Sequence, residues 1–327
     1  MEKPKKILAV NFGGIGDEIL FLPTLISLKK EFPNSKITLA LEPRSKSIKD
    51  LSSVIDEIIT VDIKRKNKYL ELLKFIFKAR GFDIGVTAGG NKFMSIILWL
   101  TGAKRRYGYD TGKLSRLLLT KAVKLEKQQY AVNMYHELVL PITKHKTELP
   151  IIDIPVQDKL ENSVLIHPGV SRMSVDKGMI KTIPALVWAD LVNKLIEKGK
   201  HVILAGGPDD AECIDTILKN IKAEGLFDNM FGKTKNLKDL AILIGQAEKF
   251  ICSDSAPLHI GVAMGTKTYA IFGPTDDKKL IPPSVTPIKA NDNCAIKPCL
   301  WDIRQTTCES LFCLQISADD IIRIAEL

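Results

Sequence analysis

The hexapeptide Asp254-Ser255-Ala256-Pro257-Leu258-His259 lies between two short apolar runs, residues 249–252 and 268–273. Runs this short and this apolar read as strands buried on both faces, so the polar segment predicts the turn and following helix of a parallel α/β sheet. Pro257 fits the first helical turn, where an N–H would have no partner. A carboxylate and open backbone N–H groups then stand at the carboxyl edge of the sheet, where open α/β sheets bind ligands. The hexapeptide is expected to belong to a site rather than to the core.

The same alternation runs along the whole chain and predicts two doubly wound α/β domains. In the first half, residues 6–11, 36–41, 58–61 and 83–88 read as strands, and 17–31, 69–79 and 92–100 as helices. In the second half, 163–167, 201–205 and 250–252 read as strands, and 184–198, 209–223, 237–247 and a final 318–326 as helices. The proline-containing stretch 141–158 reads as a linker, giving domains at 1–155 and 156–327. With 327 residues, 45% of them apolar, each half can bury its own core. The apolar runs at 19–28 and 93–100 are too short to span a bilayer, and the basic start leads into glycines and carboxylates rather than an apolar signal core, so a cytoplasmic location is expected.

Charge separates the halves. Residues 1–155 hold 27 Lys and Arg against 16 Asp and Glu, and residues 156–327 hold 20 against 22. The N-terminal excess points to an anionic partner, such as a phosphorylated molecule or the inner face of a membrane. Nucleic acid is disfavoured, because no aromatic-rich motif or recognition helix accompanies the cations.

The first strand is followed by Asn11-Phe12-Gly13-Gly14-Ile15-Gly16-Asp17-Glu18. The third glycine of a dinucleotide fingerprint is missing, and two carboxylates at a helix N-terminus would repel a pyrophosphate. Gly13, Gly14 and Gly16 instead let the backbone approach a neutral hydroxyl compound. Asp17 is left with two open readings, a general base or a helix cap. In the second half, His167-Pro168-Gly169-Val170-Ser171-Arg172, then Lys177 and Lys181, supply a glycine, a hydroxyl and three cations after a strand. That set suits a diphosphate. Gly206-Gly207-Pro208 ends another strand at the same edge and leaves room for a nucleotide to lie close.

Jointly these segments resemble glycosyltransferase family 9: Gly14-Ile15-Gly16-Asp17 with Leu22-Pro23, His167-Pro168-Gly169, Lys181 with Pro184, Gly206-Gly207-Pro208, Asp254-Ser255-Ala256-Pro257-Leu258-His259, and Phe272-Gly273-Pro274-Thr275. The resemblance implies a GT-B fold, two Rossmann-like domains facing a cleft, the first for an acceptor and the second for a nucleotide sugar, with a final helix that packs back toward the first. It implies inverting, metal-independent transfer, with no cofactor, of a sugar such as heptose from ADP-heptose to a lipopolysaccharide-core-like or other anionic glycan or glycolipid. Asp17 matches the family's base, Lys181 its phosphate-contacting lysine, and Asp254 the acid near the donor sugar. Ser171, Arg172, Gly206, Gly207, Ser255, Ala256 and His259 complete the expected donor contacts, although His259 equally reads as a histidine satisfied within its helix. Ile183 stands where the family often has an aromatic residue, and Ala256 where it often has glycine. Lys177 is an alternative to Lys181. A nucleotide-sugar epimerase or a nonenzymatic sugar-nucleotide-binding protein is the competing class.

Cys294, Cys299, Cys308 and Cys313 follow the pattern C-x4-C-x8-C-x4-C. This spacing fits either a zinc site or, in a reducing compartment, ordinary thiols.

Overall fold

The computed structural model describes residues 4–64, 66–290, 294–300 and 308–327. The chain forms two compact units, Met1–Asp153 and Ile154–Leu327.

The first unit runs β1 (Lys6–Val10), α1 (Ile15–Glu31), β2 (Lys36–Leu41), β3 (Glu57–Thr60), α2 (Lys68–Lys78), β4 (Ile84–Thr87), α3 (Lys92–Leu100), β5 (Arg105–Tyr109), α4 (Lys113–Leu118), β6 (Lys121–Val123) and α5 (Ala131–His136). In β1 the successive residues Ile7, Leu8, Ala9 and Val10 are all buried. A strand apolar on both faces needs helices on both sides, which is the environment of a parallel sheet. Ile7 pairs with Ile37 of β2 and Ile84 of β4, all in parallel.

The strand order is β3-β2-β1-β4-β5-β6. The chain winds one way from β1 to β3 and the other way from β4 to β6. Right-handed crossovers therefore place α2, α3 and α4 on the face opposite α1. Packing follows that rule: Phe75 of α2 and Met94 and Leu98 of α3 share a core layer with Leu8 and Val10 of β1. On the other face α1 packs on α5, with the Phe21 and Tyr135 rings edge to face at 5.4 Å.

The basic run at 104–106 leads into β5, with Lys104 exposed before it and Arg105 and Arg106 half-buried in the strand. The Arg106 guanidinium donates to the carbonyls of Leu118 at 2.7 Å and Ala103 at 2.6 Å, and Tyr107 and Tyr109 are buried. Alternation with two buried tyrosines is the strand signal that the charge conceals.

The second unit runs β7 (Leu160–His167), α6 (Arg172–Asp176), α7 (Ala185–Glu197), β8 (His201–Leu204), α8 (Ala211–Lys219), β9 (Phe227–Asn229), α9 (Leu237–Gln246), β10 (Ala247–Ser253), α10 (Ala256–Ala263), β11 (Lys267–Ile271), α11 (Asp277–Leu280), β12 (Thr286–Ile288) and α12 (Ala318–Ile324). Its parallel sheet is ordered β12-β11-β10-β7-β8-β9, with Ile251 of β10 opposite Ile166 of β7 and Tyr269 of β11. Trp188, Leu191 and Leu195 of α7 pack over Ile166 and Ile251. The final helix and the residue after it bury Ile321, Ile322 and Ala325 in the core of the second unit.

In both sheets the winding direction reverses between two central strands, β1 and β4 in one and β7 and β10 in the other. Loops leaving such a pair diverge and open a crevice at the carboxyl edge. The sequence-predicted site residues follow β1, β7 and β10, with Gly206 and Gly207 after the neighbouring β8.

Candidate active site

In the first unit, Asp17 is the third residue of α1. Its carboxylate turns back so that Oδ2 accepts the Gly14 N–H at 2.8 Å, closing one of the open donors of the helix end. The Tyr135 hydroxyl stands 3.5 Å from Oδ1, at the outer limit of a hydrogen bond. The cap and base readings are thus compatible, because one oxygen is engaged by the backbone and the other is loosely held. A Cβ at Gly13 would lie 2.4 Å from the Asp17 Cβ and 2.7 Å from Oδ2, whereas at Gly14 the nearest atom would be 3.6 Å away. Gly13 is therefore required by the folded-back Asp17 side chain. Gly16 lies in the first turn of α1.

Glu18 is the next residue of α1. It is fully buried, with no hydrogen bond of ordinary geometry at either carboxyl oxygen. Burial, reinforced by the neighbouring Asp17 and Glu42, pushes its pKa well above the usual carboxylate range. A neutral Glu18 adds no second negative charge to the turn.

Two cations stand near this turn: Lys64, from a basic cluster that the sequence marks for an anionic partner, and Arg44, which the sequence did not single out. The Arg44 guanidinium reaches to within 3.8 Å of where a Gly14 Cβ would stand. Glu42, itself buried, accepts from Arg44 at 2.6 Å and from Lys64 at 2.8 Å. The available signal is topological: Glu42 and Arg44 directly follow β2, the strand beside β1.

In the second unit, Asp254 follows β10 and is buried, its Oδ2 accepting the Thr275 hydroxyl at 2.7 Å. The Lys181 ammonium stands 3.3 Å from the same oxygen. The two residues expected to meet phosphate and sugar therefore form one ion pair. Lys177 ends the exposed α6 instead.

Hydroxyls on either side of the pair bind the loops together. Ser253 Oγ donates to the Pro168 carbonyl at 2.7 Å, Thr182 Oγ1 donates to the same carbonyl at 2.7 Å, and Trp188 Nε1 donates to Thr182 at 3.2 Å. Ser255 Oγ donates to the Gly169 carbonyl at 3.1 Å, so its side chain does not cap α10. Thr182 and Ser253 went unrecognised in the sequence, where their only signal is a hydroxyl beside Lys181 and Asp254; Thr275 stood in the Phe272-Gly273-Pro274-Thr275 motif, but its bond to Asp254 did not show there. Ala256 opens α10, and His259 is buried in that helix.

Other residues expected to contact the donor also make local contacts. Arg172, on exposed α6, pairs its guanidinium with Asp176 at 3.0 Å, while its backbone N–H donates to Asp209 at 2.9 Å. Ser171 precedes that helix and is exposed. Gly207 donates its N–H to Asp210 at 2.7 Å, and a Cβ at Gly206 would meet Ile214 at 3.1 Å. A Cβ at Gly169 would stand 1.9 Å from an Asp210 carboxyl oxygen, so Gly169 makes room for that side chain. Burial pushes Asp210 up to about 6 and His167, 4.0 Å from it, down to about 4.

All six cysteines are outside disulfides. Cys294, Cys299, Cys308 and Cys313 line one cavity of about 40 Å³ together with Pro274 and Leu311. Among the described residues, no group of three or more His, Cys, Asp or Glu side chains is placed to hold a metal ion.

Comparison with known proteins fits this architecture. The model of glycosyltransferase family 9 (heptosyltransferase) matches residues 73–310. Lipopolysaccharide heptosyltransferase 3 of Escherichia coli is 24% identical over 278 residues, covering 80% of this chain and 81% of that protein. A family 9 glycosyl transferase from Veillonella parvula superposes with a TM-score of 0.77 at 23% identity, covering 100% of this chain and 97% of the other. An E. coli heptosyltransferase solved with ADP-2-deoxy-2-fluoro heptose gives a TM-score of 0.74 at 18% identity, covering 98% and 99%. Both likenesses extend over two Rossmann-like sheets, the GT-B fold. With the family model spanning well over half its length, the chain belongs to glycosyltransferase family 9, the heptosyltransferases.

Proposed function

We propose that this enzyme transfers a heptose from ADP-heptose to a hydroxyl of a phosphorylated, lipopolysaccharide-core-like acceptor, with inversion and without a metal ion, acting at the inner face of the cytoplasmic membrane. The observation that carries this reading is Asp17, a carboxylate fixed by Gly14 at a sheet switch point with one oxygen loosely held. The names of the relatives, and a neighbour solved with a fluorinated ADP-heptose, support the choice of donor.

Asp17 Oδ1 takes the proton of the acceptor hydroxyl as that oxygen bonds to the anomeric carbon. The bond from that carbon to the diphosphate breaks, and its electron pair leaves with ADP. Lys181 exchanges Asp254 for the diphosphate, and the N–H groups at the start of α10, together with Arg172, meet the charge that develops there. Asp254, still held by Thr275, is then left facing the sugar. On the acceptor side Arg44 and Lys64 offer cations to an acceptor phosphate, consistent with the +11 balance of residues 1–155.

The test is transfer from ADP-heptose to a deacylated, phosphorylated core oligosaccharide, with ADP release and the anomeric configuration of the product recorded with and without EDTA. An inverted product in EDTA supports the reading. A retained configuration or loss of activity in EDTA overturns the mechanism, and conversion of the nucleotide sugar without acceptor turns the assignment to an epimerase.

A further inference from the structure

Three helices of the first unit carry an apolar face that the fold does not use. α2, α3 and α4 lie on one side of the sheet, and α3 packs against both neighbours. Their inward residues, such as Phe75, Met94 and Leu98, form the core layer described above. Outward, α2 exposes Tyr69, Leu73 and Phe77, a stripe at four-residue spacing, with Tyr69 72% and Phe77 63% exposed. α3 exposes Phe93 and Trp99, and α4 exposes Leu117 at 79%. An amphipathic helix ordinarily turns such a stripe inward, and a layer of three that also shows one outward marks an interaction surface.

The charges on this face identify what it meets. The three helices contain six Lys or Arg, including Lys68, Lys78, Lys92 and Lys113, against the single acid Glu71, which is paired with Lys74. Three of these four aromatic residues are flanked by cations: Lys68 lies 5.3 Å from the Tyr69 ring centre, Arg80 4.6 Å from Phe77 and Lys92 5.5 Å from Phe93. Rings that sit at headgroup depth, with ammonium and guanidinium groups directed to phosphates, are the pairing an anionic bilayer surface selects. Among the described residues, no helix is long and apolar enough to cross a membrane. Contact is therefore lateral, through side chains lying in the interface.

We propose that the outer face of α2, α3 and α4 docks this enzyme on an anionic lipid bilayer. This deepens the reading of a lipid-linked acceptor given above and rests on it for its purpose, but the surface is tested separately from catalysis.

The experiment is flotation of the full-length protein with vesicles of phosphatidylcholine alone or containing 30% phosphatidylglycerol, alongside transfer to a water-soluble acceptor. Binding to the anionic vesicles is expected to exceed binding to the neutral ones by about tenfold or more and to fall as salt is raised. Trp99 emission should shift to the blue on binding, and that shift should be absent from Trp99→Phe. Leu73→Ser with Phe77→Ser, and separately Lys68→Glu with Lys78→Glu, should each lose the binding while keeping the wild-type melting temperature and the rate on the soluble acceptor. Failure of the wild type to bind anionic vesicles, equal binding to both vesicle types, or variants that float like the wild type would each overturn the proposal. Absence of transfer to the soluble acceptor would instead strike the catalytic reading and leave the flotation result standing.

Discussion

Lys181 and Asp254 meet at 3.3 Å although 73 residues separate them in the chain. The carboxylate is buried and keeps Thr275 on the same oxygen, whereas the lysine side chain is about one-fifth exposed. The pair therefore holds an ammonium beside the crevice, already desolvated in part; in the proposed reaction a diphosphate takes the place of its carboxylate partner. Removing the lysine alone leaves an uncompensated carboxylate. Removing both charges does not.

Lys181→Ala should weaken donor binding by about 1.5–3 kcal/mol, roughly 10- to 150-fold, through loss of a charge-assisted contact. It should also lower stability by about 1–3 kcal/mol, because Asp254 is left buried without its cation. Adding Asp254→Asn should restore the melting temperature without restoring turnover. Donor titration and thermal unfolding of the single and double variants check both parts. A single variant with unaltered donor affinity would remove Lys181 from the phosphate site.

Asp17→Asn should lower turnover by about 10²- to 10⁴-fold, the usual range for a lost general base. The asparagine oxygen can still accept the Gly14 N–H, so the helix end stays closed and the melting temperature should fall only slightly. Donor affinity should stay within about twofold, since the proposed diphosphate contacts are in the other unit. Turnover, donor affinity and melting temperature measured on one preparation decide the matter. Near-normal turnover would reduce Asp17 to a cap.

Gly13 and Gly14 should respond oppositely to alanine. At position 13 the new methyl would stand 2.4 Å from the Asp17 Cβ and force that side chain away, whereas at position 14 the nearest atom is 3.6 Å distant. Gly13→Ala should therefore cost turnover far more than Gly14→Ala, with donor affinity preserved in both. Similar rates for the two variants would show that the folded-back Asp17 is not the working conformation.

Glu18 predicts a pH dependence of stability. Its folded-state pKa lies above the unfolded value of about 4.5, so the folded protein holds a proton that the unfolded chain releases. That contribution is complete below pH 4.5 and declines as pH rises toward the folded pKa, by at most about 1.4 kcal/mol per pH unit. Glu18→Gln should remove this decline, so its advantage in unfolding free energy over wild type should grow from pH 5 upward. Parallel stability curves for the two proteins between pH 5 and 8 would contradict the buried neutral carboxyl.

The alternation of apolar runs with helical segments identified both α/β halves because burial on two faces and crossover helices leave a direct mark on composition. Asp17, Lys181 and Asp254 stood out as candidate site positions for a related reason: each lies in a polar segment that follows a buried strand. β5 was concealed by Arg105 and Arg106, since a guanidinium satisfied by carbonyls and one facing water are written alike. Glu42, Arg44, Thr182 and the bond from Thr275 to Asp254 were also out of reach, because they depend on segments brought together only by the sheet. The glycines show the division most plainly. Sequence alone marks Gly13, Gly169 and Gly207 as permissive backbone, but only the folded structure shows that Asp17 fills the space at Gly13, Asp210 fills it at Gly169, and Asp210 accepts the Gly207 N–H. A local pattern records which residues must be buried or turned, whereas tertiary packing decides which side chain occupies each space and which charge stands beside it.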